Sequence, residues 1–217
     1  MMHKNEQTRW AAFKMACTTL PDGILFTDAL TCTLYASDAS MYQIQPLAVL
    51  IPKTQEQVQF AIRAAIQTGI PIIGRGSGTS LAGQAIGQGL VIDFSKYLNR
   101  ILHFDLEKRQ ITVEPGVILD DLNRFLAPHG LLFGPDPASA SRATLGGMTA
   151  TNATGTHSTA YGSMVDHLVS AKLILHDGQV VLLQELTPRQ LQIKQKQEDE
   201  EGKLYQKVCR ILQEKEH

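Results

Sequence analysis

Residues 74–89 read GRGSGTSLAGQAIGQG, and six of these sixteen positions are glycine. No other stretch so narrows what the chain can fold into. Gly83, Gly87 and Gly89 would each cost about 1 kcal/mol relative to alanine in a helix interior, so no stable helix is expected after Gly74. A strand interior is weakened by glycine as well. The segment is therefore expected to be a loop whose bare backbone approaches something closely. Its flanks, 70–73 (IPII) and 90–94 (LVIDF), read as short apolar strands.

Two familiar phosphate loops do not fit. A P-loop requires GxxxxGK[ST], and no lysine occurs between Lys53 and Lys96. A dinucleotide fingerprint requires GxGxxG opening a helix; Gly74 and Gly76 match its first half, but Thr79 holds the third glycine position. What remains is a nest, a concavity of consecutive backbone N–H groups, to which Ser77, Thr79 and Ser80 add hydroxyl donors. Arg75 is the only charged residue in 74–83, and its direction is open at this level. Neutral donors of this kind suit a diphosphate inside a larger ligand. The alternative, from these residues alone, is a tight glycine-rich turn.

The surroundings read as ordered structure. Residues 47–51 (LAVLI) form a strand expectation closed by Pro52. Thr54 and Gln57 have capping-box spacing, and Val58, Ala61, Ile62, Ala65 and Ile66 mark one helical face that Gly69 stops. Strands 47–51 and 70–73 with this helix make a β-α-β unit, so they are expected to be parallel. ILHFD and residues 111–114 read as a hairpin ended by Pro115-Gly116. Leu119, Leu122, Phe125 and Leu126 follow at helical spacing, closed by Pro128 and Gly130.

Residues 134–163 are rich in small residues and flanked by ordered elements, which points to a binding loop. Thr144 is positioned to cap a short helix holding Gly146-Gly147, where a flat ring or sugar chain can lie against main chain; a mobile surface loop is the alternative. Asp177-Gly178 marks a second hairpin. EDEEGK at 198–203 reads as a solvated turn, and Leu204, Val208, Ile211 and Leu212 as a terminal amphipathic stripe that docks on the domain or on something beyond it.

Composition bounds the function classes. The 20 basic and 21 acidic residues leave a net charge of −1, with no broad field toward nucleic acid or a membrane surface. No apolar run approaches the roughly 18 residues of a membrane span. Cys17, Cys32 and Cys209 form neither a disulfide framework nor a CxxC pair, which fits a reducing cytosol. His157 and His167, ten apart, match no common zinc spacing, and no metal site is expected.

Five runs together, YASDASMYQIQPLAVLIPKTQEQV, RGSGTSLAGQAIGQGLVIDFSKYLNRIL, VEPGVILDDLNRFLAPHGLLFGPDPAS, ATLGGMTATNATGTHSTAYG and LILHDGQVV, resemble the FAD-binding domain of the vanillyl-alcohol oxidase / p-cresol methylhydroxylase flavoproteins. The likeness spans roughly residues 35–185 and is nearest to FAD-linked D-lactate and 2-hydroxyacid dehydrogenases, some with a fused iron–sulfur region. It implies an α+β fold of PCMH type: a small β-α-β lobe, a larger lobe with a mixed or antiparallel sheet, and FAD between them. The implied divisions are a lead-in (1–34), the FAD-binding domain (35–186, lobes about 35–100 and 101–186) and a C-terminal helical segment (187–217).

The resemblance further implies that Arg75, Gly76, Ser77, Gly78, Thr79, Ser80 and Gly83 surround the pyrophosphate. Pro135, Asp136, Thr144, Gly146 and Gly147 would line the flavin and ribityl region, with Asn152 and Gly155 nearby. Relatives that attach FAD covalently often carry histidine where Thr79 stands, so non-covalent FAD is expected. His157 has two readings, a flavin neighbour or a structural residue. No residue here is expected to be catalytic.

The implied function is an FAD-dependent oxidoreductase oxidising a 2-hydroxy acid such as D-lactate by hydride transfer to flavin N5. The substrate domain is expected to lie outside this chain, which alone would be inactive. An iron–sulfur region or partner subunit would accept the electrons. The expected location is cytoplasmic, or peripheral to the inner face of the membrane in a full-length protein. The alternatives are a non-catalytic flavin-binding subunit or scaffold, and an FAD/NADPH reductase of the same fold.

Overall fold

Thr54 and Gly69 bound the first well-packed helix by local chemistry. In the computed structural model, which describes residues 4–215, the Thr54 hydroxyl accepts from the Gln57 N–H at 3.4 Å. Gln57 reaches back to the Lys53 N–H at 2.7 Å, one residue earlier than a standard capping box. Gly69 sits at φ 70°, and the Ile70 N–H closes the end on the Ala65 carbonyl at 2.8 Å.

In chain order the elements are α1 (Lys4–Ala16), β1 (Leu25–Phe26), α2 (Ala29–Leu34), β2 (Ala48–Leu50), α3 (Gln55–Thr68), β3 (Ile72–Arg75), β4 (Leu90–Asp93), β5 (Ile101–Asp105), β6 (Gln110–Val113), α4 (Leu119–Leu126), α5 (Leu145–Thr151) and α6 (Ser158–Tyr161). They belong to one compact unit that runs to His167. The second unit, from Leu168 on, holds β7 (Ser170–Ile174), β8 (Val180–Gln184), α7 (Pro188–Gln195) and α8 (Glu200–Lys215).

The first unit is built on a four-stranded sheet in the order β1-β2-β4-β3. Strands β2 and β3 run parallel, as their β-α-β spacing predicts, but each pairs with β4, which lies between them. Every residue of β2 and β4 is buried, the pattern of central strands covered on both faces. Helix α3 buries Val58, Ala61, Ile62, Ala64 and Ala65, whereas Ile66, expected on that face, is exposed. Strand β3 starts two residues later than expected, because Ile70 is taken up by the helix end. Strand β1, antiparallel to β2, adds an edge that composition did not announce.

A second core in the same unit gathers Val117, Leu119, Leu122, Leu126, Ala143, Leu145, Met148 and Met164. The β5–β6 hairpin supplies Ile101, Phe104, Ile111 and Val113 to it. Leu119 and Leu122 are fully buried, each worth roughly 1.5–3 kcal/mol of apolar transfer. Phe125, read as part of that stripe, is exposed and instead meets Phe104 edge-on, with ring centroids 5.5 Å apart.

In the second unit, β7 and β8 form the hairpin around Asp177-Gly178. The charge run at 198–203 is not a solvated turn. Asp199 accepts the Gly202 N–H at 2.9 Å, helix α8 begins at Glu200, and Glu201 is buried with its carboxylate 2.6 Å from the Lys194 ammonium. Val208, Ile211 and Leu212 are exposed. Among the described residues no helix is long and apolar enough to cross a membrane.

Candidate functional site

Between β3 and β4 the chain forms no regular element, as the five glycines of residues 76–89 dictate. Residues 75–80 are half-buried. Among the described residues, the main-chain N–H groups of Gly76, Ser77, Gly78, Thr79, Ser80 and Leu81 donate to no protein acceptor. The hydroxyls of Ser77, Thr79 and Ser80 are likewise unpaired. Residues 76–80 are only half-buried and Leu81 is exposed, so these successive amides stand open to an acceptor from outside the chain. The donor set fits an anion supplied from outside the chain.

Gly78 shapes the loop. Its φ of 70° is a left-handed conformation that L side chains rarely adopt. Its carbonyl accepts from the Ala39 N–H at 2.9 Å, so that oxygen is turned into the protein. Gly83 lies against Tyr42, where a β-carbon would come within 3.2 Å of the ring. Arg75 turns back beneath the loop: its guanidinium donates to the Ala85 carbonyl at 3.1 Å and lies 5.2 Å from the Tyr35 ring centroid.

The second small-residue segment meets the first where Gly76 faces Thr144. A β-carbon on Gly76 would fall on the Thr144 hydroxyl, with the Thr144 β-carbon only 3.3 Å away. Thr144 is buried and caps α5 by accepting the Gly147 N–H at 3.4 Å. The Leu145 and Gly146 amides are also engaged, donating to Val117 and Pro115 carbonyls at 2.8 Å each. The first amides of α5 are therefore used internally, and the free donors are those of residues 76–81.

The two glycines of α5 differ. Gly146 packs against Pro115, leaving no room for a side chain. Gly147 is exposed and meets only the Thr144 hydroxyl, so its face is open to a ligand. Asn152 ends α5 at φ 46° and accepts the Val165 N–H at 2.9 Å through its side chain.

Pro135 is fully buried, and Asp136 beside it is bound twice by one residue. The His157 main-chain N–H donates to one carboxylate oxygen at 3.0 Å, and the His157 Nδ1 approaches the other at 2.5 Å. These bonds, the main-chain one first, hold the Asp136 carboxyl below the ordinary aspartate value. Gly155 packs edge-on against Asp136, which fixes the loop around the pair. His157 thus has a definite structural partner.

Sequence reasoning missed the support beneath the glycine loop. The Tyr35 hydroxyl donates to Asp93 at 2.5 Å, and Asp93 also accepts from the Ser95 N–H and hydroxyl at 2.7 Å each. Burial, then the bond to Asp93, pushes the Tyr35 phenol up. Asp38 accepts from the Ser40 N–H at 2.9 Å and the Ala85 N–H at 3.4 Å. Burial opposes its charge, but these bonds and Arg75 together leave the Asp38 carboxyl below its ordinary value. The one available signal was Asp93 itself, a carboxylate ending an otherwise apolar strand.

Comparison with known proteins places the chain in a family. A family model described as an FAD binding domain matches residues 46–184. D-2-hydroxyglutarate dehydrogenase of Escherichia coli is 36% identical over 186 residues, covering 84% of this chain and 18% of the relative. Glycolate oxidase subunit GlcD of Bacillus subtilis is 34% identical over 151 residues, covering 68% of this chain and 32% of the relative. Crystalline p-cresol methylhydroxylase with substrate bound superposes with a TM-score of 0.67 at 20% identity, covering 84% of this chain and 36% of that one, so the fold is of that type. The chain spans less than a third of the length of these two curated relatives.

Proposed function

The chain belongs to the FAD binding domain family, and from that premise we propose that it is the cofactor-holding part of a larger FAD-dependent oxidoreductase acting on a 2-hydroxy acid such as D-lactate. The observation that carries this reading is the run of six unpartnered amides at residues 76–81, on a loop whose Gly76 abuts Thr144. When bound, FAD supplies the two-electron acceptor, and the chain supplies position.

In this reading the amides of residues 76–81, with the hydroxyls of Ser77, Thr79 and Ser80, receive the diphosphate. Gly83 lets Tyr42 close one side of the loop. The open face of Gly147 receives the sugar chain or ring, while Gly146 and Thr144 hold α5 in place. Pro135, Asp136, Asn152 and Gly155 shape the adjoining wall. Binding is non-covalent, with threonine at position 79. Substrate-binding groups and the base that takes the substrate's hydroxyl proton come from elsewhere in the larger protein, as does the electron acceptor, an iron–sulfur region or partner subunit. Three free thiols support a reducing, cytosolic location.

Titration of the purified chain with FAD tests the reading. At 100-fold excess over Kd, a ligand that binds only the folded state stabilises it by about 2.7 kcal/mol, so the melting temperature rises with FAD concentration and flavin fluorescence changes with it. A folded chain whose melting temperature and flavin signal ignore FAD contradicts the proposal.

A further inference from the structure

We infer that Arg75, the one cation of the glycine loop, is a positioning residue that clamps the loop from beneath and does not pair with the bound diphosphate. The inference rests on the reading that residues 76–81 receive that diphosphate.

Arg75 ends β3, and Ala85 lies on the return limb of the loop. The 3.1 Å bond from the Arg75 guanidinium to the Ala85 carbonyl joins the two limbs. The Ala85 N–H is held in turn by Asp38, so both polar groups of that peptide neighbourhood are tied to charged side chains. The guanidinium lies over Tyr35, whose hydroxyl is anchored on buried Asp93. Above it, the position a Gly78 side chain would take is filled: a β-carbon there would lie 2.5 Å from Nη2 and 2.9 Å from Cζ. The left-handed turn at Gly78 is thus wrapped around the guanidinium.

The consequence is a division of labour. The amides do the binding, and Arg75, fixed by stacking and by the Ala85 carbonyl, holds them ready before the ligand arrives. Planarity and the fork of donors matter here more than charge, and lysine cannot reproduce either.

The test compares wild type, Arg75→Lys and Arg75→Gln. Amide exchange in the ligand-free proteins is followed at Ala39 and Ala85, and FAD affinity is measured across a series of KCl concentrations. Both variants are expected to exchange faster at these amides and to bind FAD about tenfold to a hundredfold more weakly, as for loss of a hydrogen bond to a charged group. The salt dependence of binding is expected to match wild type, because a direct ion pair would be screened by salt and its removal would flatten the dependence.

Wild-type affinity in Arg75→Lys, unchanged exchange in both variants, or a flattened salt dependence in Arg75→Gln would each overturn the inference. Should Arg75→Gln not fold, Arg75→Lys decides it, since it retains the charge and loses the fork. If wild type itself ignores FAD, the reading of the ligand falls, and the exchange measurement still decides whether Arg75 clamps the loop.

Discussion

Gly76 lies directly against Thr144, so the two segments poorest in side chains touch through a position where no β-carbon fits. Gly76→Ala is expected to cost about 1–3 kcal/mol by overpacking. Thr144→Ala is expected to cost about 1 kcal/mol by removing the cap of α5. In the double variant the alanine at position 76 no longer meets a hydroxyl, so the two costs measured by urea denaturation are expected to sum to more than the double variant shows. Strict additivity would mean that the contact does not form in solution.

Asp136 carries a prediction about its own titration. Two bonds from His157 hold its carboxyl below the ordinary aspartate value. Carbon-detected NMR of the Asp136 carboxyl is expected to show a low pKa that rises part of the way in His157→Ala. The rise is partial because the main-chain N–H at position 157 still donates. No change on losing the imidazole would show that the side-chain bond is absent.

Glu114 links the hairpin β5–β6 to stability in acid. Arg100 grips it with its main-chain N–H at 2.8 Å and its guanidinium at 2.8–3.3 Å, and this pairing lowers the carboxyl below the ordinary glutamate value. The folded-state pKa is the lower one, so the stabilisation is present above the unfolded value and is lost as pH falls through the folded one. Because Arg100 is largely exposed, solvent screening keeps the contribution small. Glu114→Gln is expected to lower stability near neutrality and flatten the acid limb of a stability–pH curve; an unaltered acid limb would contradict this.

The thiols are predicted to differ in reactivity. Burial pushes the Cys17 thiol up to about 11 and also raises Cys32. Both stay protonated at pH 8, and the thiolate is the reactive form. Cys209, on α8, is partly exposed. Timed alkylation of the native chain followed by peptide mass spectrometry is expected to find Cys209 modified first, with Cys17 and Cys32 protected until the protein is denatured. Early modification of Cys17 would contradict its burial beside α1.

Local chemistry was legible in the sequence and long-range pairing was not. The glycine loop, the ends of α3, the Thr144 cap and both hairpins each follow from residues within a few positions of one another. Strand β3 begins two residues beyond Ile70, which has the character of a strand residue but is consumed by the end of α3. Strand β1 has two residues, and only its pairing with β2 defines it. The charge run at 198–203 looked solvated because Lys194, the partner that lets Glu201 be buried, belongs to a different helix. At the site, the donors were legible and their support was not: Tyr35 and Asp93 are 58 positions apart, and no spacing rule connects them. The same distance hid why Arg75 points inward.

The most direct measurement of the central claim is a titration of nitrogen-15-labelled protein with FAD, following the amide resonances of residues 76–81. The account predicts that these amides shift together, saturate with the flavin signal and become protected from exchange as they acquire acceptors, while the Leu145 and Gly146 amides, already bonded to carbonyls, stay protected throughout. Saturable FAD binding that leaves the resonances and exchange of residues 76–81 unchanged would place the diphosphate elsewhere and contradict it.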